Sequence, residues 1–233
     1  RMSDEVFVRM NRSERGQHAL LALTFFALAL TGLPSLAGES GLIRVVFGRG
    51  GADAVRGLLH RGAALAFIAV LAWHLLYTVL TERGRRNFRD KLPRRQDAKD
   101  AVAFLRPGPR PDFDRYSFIQ KFEYWSLLAG SAVMTVTGFF MWASGLSLRL
   151  FPLWLHQVLV VVHGGEAVLA VVSITVWHMY TAHLAPGVFP MSRVWLDGLL
   201  TESDLRRLHP LEYRRVLEER ERRALKKSMM EGE

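Results

Sequence analysis

The chain is organised around the stretch Trp154–Leu184, which reads WLHQVLVVVHGGEAVLAVVSITVWHMYTAHL. Almost every residue is apolar, and at about 1.5 Å per residue a helix of this length crosses a bilayer with some tilt. His163 and His178 lie inside it, fifteen residues apart. At about 100° per residue their side chains are roughly 60° apart around the helix, and they are about 22 Å apart along it.

Polar side chains at membrane depth are costly and usually mark a function. Two histidines near opposite ends of one membrane helix therefore suggest axial ligands for two haems, one in each leaflet. For either histidine alone, an ordinary packed imidazole bonded to a serine or threonine of a neighbouring helix is an equal alternative. The haem interpretation requires a second imidazole for each iron from another helix.

The other apolar residues fall into runs that predict an all-α integral membrane protein, a bundle of four transmembrane helices. Half of the 233 residues are hydrophobic, and there is no cysteine. The lack of cysteine excludes disulfides, iron–sulfur clusters held by this chain and covalent c-type haem. We expect helices at about 17–36, 58–81, 120–144 and 153–185, in a di-haem domain of residues 1–186 that is followed by a charged helical tail of residues 187–233.

The second apolar run repeats the arrangement of two histidines. His60 and His74 are fourteen residues apart, which puts them roughly 40° apart around a helix. His18 opens the first apolar run, whereas the third run, from Phe122 to about Ala143, has no histidine. This repetition strengthens the haem interpretation against that of ordinary packed histidines.

The basic residues predict the orientation in the membrane. Most of the 31 lysines and arginines lie in the N-terminal segment, the loop Glu82–Lys121 and the tail. The positive-inside rule places these segments and both termini in the cytoplasm, in a multi-pass protein of the bacterial inner membrane. This distribution explains the net charge of +9, so we expect membrane lipid and no nucleic acid as a partner.

With this orientation the histidines fall at two depths. His60 and His163 lie toward the outer leaflet and form the outer pair. His178 lies toward the cytoplasm, where its partner is His18, at the edge of the apolar run, or His74. Depth favours His74, because His74 and His178 both lie about seven residues from the cytoplasmic ends of their helices. A third arrangement uses both His18 and His74, with a third haem or a quinone contact taking the spare imidazole.

The sequence resembles the cytochrome b (gamma) subunits of membrane formate dehydrogenases and nickel–iron hydrogenases. The resemblance covers about residues 12–185 and lies in RGQHALLALTFFALALTGL, RGLLHRGAALAF, IQKFEYWSLLAGSAVMTVTGFFMW and VHGGEAVLAVVSITVWHMY. It implies four transmembrane helices, two b haems and electron exchange between a periplasmic redox subunit and a quinone near the inner haem. On the family pattern His18 and His178 hold the inner haem, and His60 and His163 hold the outer one.

Two features depart from that pattern. His74 is not part of the formate dehydrogenase pattern, and the spacing of the histidines in the last helix is one residue longer than usual. The tail segment VFPMSRVWLDGLLTESDLRRLHPLEY is more similar to b-type subunits associated with multihaem c cytochromes. The expected periplasmic partner is therefore of the hydrogenase, formate dehydrogenase or multihaem c type.

Candidate contacts for the polar groups of quinone and haem lie near the membrane surfaces. Gln120 and Lys121 match the family loop beside the quinone pocket, and His183 lies at the same end of the bundle. Interfacial anchoring explains these three residues as well. Cationic partners suited to haem propionates are Arg44, Arg49 or Arg149 on the outer side and Arg15 on the inner side.

These observations predict an electron-carrying subunit that connects a periplasmic redox subunit with the quinone pool through two bis-histidine haems. No residue is predicted to be catalytic, since substrate chemistry belongs to a partner or, for the quinone as substrate, to a site beside the inner haem. The alternative from a different class is a non-redox membrane anchor or a transporter subunit whose histidines relay protons.

Overall fold

A computed structural model describes residues 5–36, 52–109, 111–186 and 188–231. Arg44 and Arg49, two of the candidate propionate partners, lie outside these residues. The described elements, in chain order, are β1 (Val6–Val8), α1 (Arg12–Leu36), α2 (Ala52–Leu80), α3 (Glu82–Lys91), α4 (Arg95–Phe104), α5 (Phe118–Trp142), α6 (Ser144–Leu150), α7 (Leu153–Val172, continued by π-helical turns over Ser173–His178 and Tyr180–Leu184), α8 (Val194–Asp197), β2 (Leu199–Thr201), α9 (Glu202–Leu208) and α10 (Pro210–Glu231).

Four of these helices, α1, α2, α5 and α7 with its π-helical continuation, are long and apolar enough to cross a membrane. This confirms the expected all-α membrane fold with four transmembrane helices. Apolar side chains cover the outside of the bundle, with Leu30 69%, Leu80 70% and Val161 72% exposed. An outer surface of this kind is suited to lipid, since hydrocarbon chains replace water as its neighbour.

Hydrogen bonds at helix starts explain where the membrane helices begin at one end of the bundle. At the start of α1 the backbone N–H of Glu14 donates to the Asn11 side chain, while the Asn11 N–H donates to the Glu14 carboxylate. Ser117 and Gln120 form the same reciprocal box before α5. These boxes satisfy backbone donors that have no partner within the helix. Thr81 separates α2 from α3 by accepting a hydrogen bond from the Gly84 N–H at 2.9 Å.

The two chain ends meet in a small structure that we call the terminal clasp, made of β1, β2, α8, Arg9, Arg115, His209 and Glu212. Strand β1 pairs with β2 in antiparallel register, with Val6 opposite Thr201 and Val8 opposite Leu199. The N-terminal segment, the loop before α5 and the tail therefore lie together at one end of the bundle, which we call the terminal end.

A buried ionic network holds the terminal clasp together. The carboxylate of Glu212, only 5% exposed, accepts hydrogen bonds from Arg9 and, at 2.8 Å, from Arg115. Burial opposes ionisation of Glu212, but the positive charges of Arg9 and Arg115 outweigh it and hold its pKa below the ordinary value. A carboxylate between two guanidinium groups remains charged at neutral pH, so the network stays paired.

His209 makes the terminal clasp sensitive to acid. Its Nδ1–H donates to the Asp114 carbonyl at 2.7 Å, and its Nε2 faces Nη2 of Arg9 at 3.4 Å. Burial, and then the charge of Arg9, lower the pKa of His209 from 6.5 to about 4. Between these two pKa values the unfolded chain binds a proton at His209 that the folded clasp does not. The clasp therefore has its full stability above pH 6.5 and loses stability as the pH falls toward 4.

We expect acid to open the terminal clasp before it unfolds the bundle. The protection of the β1 amides against hydrogen exchange should decrease as the pH falls from 6.5 to 4. The corresponding free energy of opening should decrease by at most about 3 kcal/mol. Hydrogen-exchange mass spectrometry, corrected for intrinsic rates, measures this quantity. The variant His209→Gln should lose most of the slope, and an equal slope in both proteins would contradict the assignment to His209.

Candidate functional site

His60 of α2 and His163 of α7 meet at the end of the bundle opposite the terminal end. Their ring centres are 6.5 Å apart and their planes differ by 72°. A metal–imidazole bond of about 2.0 Å plus about 1.1 Å from nitrogen to ring centre gives roughly 6 Å between two imidazoles on opposite sides of one iron. The spacing of this far-end pair is therefore close to that expected for two imidazoles that would hold one haem iron between them.

Two threonines orient the rings of the far-end pair. Thr31 Oγ1 lies 2.9 Å from Nδ1 of His60, and Thr137 Oγ1 lies 2.8 Å from Nδ1 of His163. Each hydroxyl donates its own hydrogen to a carbonyl one turn earlier, Ala27 at 2.6 Å and Val133 at 2.7 Å.

Because each hydroxyl hydrogen is already used, the threonine oxygen can only accept, and Nδ1 of the histidine must donate. The proton then resides on Nδ1, which leaves the lone pair of Nε2 available for a metal. This is the tautomer that an iron-ligating histidine needs, and hydrogen bonds of this kind fix ligand orientation in metal sites. The same arrangement holds His60 and His163, although the two threonines come from different helices, α1 and α5.

Glycines leave room beside both far-end rings. A Cβ atom at Gly32 would lie 3.0 Å from Cε1 of His60, and one at Gly138 would lie 3.1 Å from Cε1 of His163. Either approach is tighter than ordinary van der Waals contact, so a larger residue would force the ring to shift. The geometry, the tautomer and the glycine cradle fit haem at this end of the bundle.

We expect the threonine hydroxyls, more than their methyl groups, to be needed for the far-end site. Thr31→Val and Thr137→Val should each weaken haem retention at that site by about 10- to 100-fold, and the serine variants should restore it. Thr24→Val is a matched control, because Thr24 donates to the Leu20 carbonyl at 2.7 Å in the same way on the same helix as Thr31. Haem titration of the apoprotein measures the effect; equal losses in Thr24→Val and Thr31→Val would contradict it.

A second pair lies at the terminal end. The ring centres of His18 on α1 and His178 on α7 are also 6.5 Å apart, with planes 45° from each other. Nδ1 of His178 faces Oε2 of Glu123 at 3.5 Å, and the other carboxylate oxygen accepts from Thr181 at 2.8 Å. Nδ1 of His18 is buried and has no partner among the described residues. Spacing and unpaired nitrogen fit a second haem, with a carboxylate in the orienting role.

His178 lies in the π-helical turn Ser173–His178. A turn closed by i→i+5 hydrogen bonds contains about one residue more than an α-helical turn, and such turns are frequent at functional sites. The turn therefore changes the direction of the His178 side chain relative to that of His163 from what an unbroken α-helix would give.

The hydrogen-bond partners of His74 are residues other than the terminal-end pair. Its Nδ1 is 2.9 Å from Oε1 of Gln17, and its Nε2 is 3.1 Å from the hydroxyl of Tyr124. Both ring nitrogens therefore have hydrogen-bond partners within the protein. In this respect His74 differs from His18, whose buried Nδ1 has none among the described residues.

The residues considered for a quinone have different surroundings. Gln120 is exposed, and its side chain caps α5. Lys121 is 6% exposed and pairs with Asp97 at 2.8 and 2.9 Å. His183 has a buried Nδ1 without a partner in the described part of the chain and lies beside Trp195, with ring centres 6.4 Å apart. His183 therefore retains an unpaired polar atom, whereas Lys121 is held in an ion pair.

Sequence reasoning missed several residues around the two pairs. Thr31 and Thr137 could have been suspected, since threonines at membrane depth often bond to neighbouring helices. Arg56, which donates to the Thr31 carbonyl at 2.9 Å, was not among the predicted cationic partners, whereas the predicted Arg149 is exposed. Trp195 gave no local signal, because only the folding of the tail brings it to His18, at 6.3 Å between ring centres.

Four helices long and apolar enough to span a membrane, with two histidine pairs between them, are typical of membrane cytochromes of the b type. The model of the family described as prokaryotic cytochrome b561 matches residues 9–212. The chain belongs to this family, and it is accordingly a multi-pass membrane protein that binds haem b and takes part in electron transfer. No protein with a curated description matches the chain.

Proposed function

We propose that the protein carries electrons across the membrane through two bis-histidine b haems, between a periplasmic redox subunit and the quinone pool. The observation that carries the proposal is the pair of equal spacings. His60 and His163, and likewise His18 and His178, have ring centres 6.5 Å apart at opposite ends of one bundle. Two equivalent sites at the two membrane surfaces suit an electron path from one surface to the other.

The far-end haem is held by His60 and His163, and the terminal-end haem by His18 and His178. The choice of His18 is supported by its spacing to His178, and by the hydrogen bonds that occupy both nitrogens of His74. With His74 used in this way, two haems account for the ligands and a third has no histidine pair. His74 then serves to connect α1, α2 and α5 through Gln17 and Tyr124.

When bound, haem iron accepts and releases one electron without substrate chemistry of its own. The residues of this chain tune and protect that exchange. Thr31 and Thr137 keep the Nδ1 protons of the far-end ligands in place, while Oε2 of Glu123 lies 3.5 Å from Nδ1 of the terminal-end ligand His178.

The orientation follows from the charges, with the terminal end in the cytoplasm and the protein in the bacterial inner membrane. Support comes from the terminal clasp, which brings the basic N-terminal segment, the basic loop and the basic tail together on one side of the bundle. We expect an alkaline phosphatase fusion after residue 233 to be inactive and a green fluorescent protein fusion to be fluorescent. Active phosphatase at this position would reverse the assignment of the two surfaces.

A quinone site at the terminal end agrees with this orientation. Nδ1 of His183 has no hydrogen-bond partner among the described residues, which favours His183 as a contact. Gln120 caps a helix and Lys121 forms an ion pair. On the periplasmic side the partner is a redox subunit of the formate dehydrogenase, nickel–iron hydrogenase or multihaem c type. The likeness of the tail to subunits that accompany multihaem c cytochromes favours the last.

The experiment that tests the proposal is a reduced-minus-oxidised spectrum of the purified chain, combined with haem and protein quantification. We expect b-type bands, two haems per chain and two reduction potentials. A single haem would overturn the two-site arrangement. A chain without b-type bands, although haem was supplied during expression, would favour the rival function of a non-redox anchor or a proton-relaying transporter subunit.

A further inference from the structure

Four buried polar atoms without a hydrogen-bond partner in the described part of the chain lie close together at the terminal end. They are Nε of Arg15, Nδ1 of His18, Nδ1 of His183 and Nε1 of Trp195. His18 is a ligand candidate for the terminal-end haem. The other three residues form a group that we call the donor cluster: Arg15, His183 and Trp195.

Trp195 connects the donor cluster to the histidine pair. Its ring centre lies 6.3 Å from that of His18 and 6.4 Å from that of His183. These two histidines belong to α1 and to the end of α7, so the indole of the tail lies against both membrane helices. The cluster is thus adjacent to the terminal-end pair, on the side that faces the tail.

The position of Trp195 is fixed by the backbone of the terminal clasp. Arg15 donates to the carbonyl of Leu196, next to Trp195. The Gly198 carbonyl accepts from the backbone N–H groups of Arg9 at 2.8 Å and Met10 at 3.0 Å. Gly198 itself has φ +80° and a Cβ there would collide with the Met10 carbonyl, so only glycine permits this approach. The donor cluster is therefore held in place before any ligand arrives.

The chemistry of the cluster identifies what it can bind. The indole N–H of Trp195 and the guanidinium N–H of Arg15 can only donate hydrogen bonds. A buried donor without an acceptor costs about 1–3 kcal/mol, and two such donors lie in this part of the terminal end, since Arg15 is hydrogen-bonded to the residue next to Trp195. An acceptor oxygen that entered the cluster would satisfy both, and the positive charge of Arg15 favours an oxygen that carries negative charge or a strong dipole.

We propose that Arg15, His183 and Trp195 form a binding site for an acceptor oxygen beside the terminal-end haem. The oxygen belongs to a carboxylate of that haem's propionates or to a carbonyl of a bound quinone. The inference rests on the proposed function, because it takes a haem to be held by His18 and His178. It assigns part of the site to the tail, which sequence reasoning had treated as separate from the haem domain.

The test uses the full chain with Trp195→Phe, which keeps the ring and removes the N–H. Trp154→Phe is the matched control, since Trp154 is 63% exposed at the other end of the bundle. Apoprotein is loaded with natural haem or with haem whose propionates are methyl esters, and binding of a short-chain benzoquinone is titrated in the loaded protein. Relative to the control, we expect Trp195→Phe to lower the affinity of the protein for one of these two ligands, haem or benzoquinone, by about two- to tenfold.

The outcomes separate the two sources of the oxygen. If Trp195→Phe weakens retention of natural haem but not of esterified haem, the acceptor is a propionate carboxylate. If it weakens binding of the benzoquinone and leaves haem retention unchanged, the acceptor is a quinone carbonyl. If neither changes beyond the control, the site is overturned. An intact far-end haem spectrum shows that the variant is folded, and absence of the terminal-end haem from the unchanged protein would overturn the proposed function along with the site.

Discussion

Replacement of His60 or His163 by alanine should remove one of two haems and leave the other spectrally intact. The expectation follows from geometry, because the far-end and terminal-end pairs share no ligand and lie at opposite ends of the bundle. Haem per chain, determined from the pyridine haemochrome and the protein concentration, should fall from two to one in each variant. The remaining haem should keep its reduction potential to within a small shift.

His156→Ala is the control for the far-end prediction. His156 lies on α7, two turns from His163, and its Nδ1 is 2.9 Å from the hydroxyl of the fully buried Ser147. The variant therefore removes an imidazole from the same helix and the same end of the bundle without removing a proposed ligand. It should keep two haems, although the loss of one buried hydrogen bond costs about 1 kcal/mol of stability. Full haem content in His60→Ala or His163→Ala would refute the pairing.

The membrane helices could be predicted from the sequence because their physical cause is local. A helix in hydrocarbon must be long and apolar and must satisfy its own backbone, and these properties can be read from a window of about 20 residues. In the tail, α9 and α10 lie within residues 187–233, for which the sequence predicts a charged helical segment.

The features that could not be predicted depend on contacts between distant parts of the chain. Strand β1 is only three residues long and forms because β2 lies beside it, almost two hundred residues later. Trp195 reaches His18 through the same pairing. The π-helical turn at His178 changes the direction of that side chain, whereas the estimate of about 100° per residue assumes an unbroken α-helix. Tertiary contacts of this kind leave no periodic pattern in the sequence.

The second large effect that we expect is the loss of the terminal-end haem when His18 is replaced. His18→Ala should lower the haem content from two per chain to one and remove the haem whose spectrum survives in His60→Ala. His74→Ala should keep both haems, because the ring of His74 is hydrogen-bonded through both nitrogens to Gln17 and Tyr124. The His74→Ala variant should instead lower the free energy of unfolding by about 1–3 kcal/mol, because Gln17 and Tyr124 each lose a hydrogen bond.

The comparison of these two variants separates geometry from depth. If depth in the membrane chose the ligand, His74→Ala would lose a haem and His18→Ala would not, and the assignment to His18 would be wrong. Loss of haem in both variants would mean that both His18 and His74 are used at the terminal end. The variant Tyr124→Phe tests this arrangement independently. That variant removes the hydroxyl next to Nε2 of His74 while leaving His18 and His178 untouched. If His74 only connects helices, Tyr124→Phe lowers the thermal stability and preserves two haems with unchanged potentials; if His74 binds iron, the potential of the terminal-end haem shifts with it.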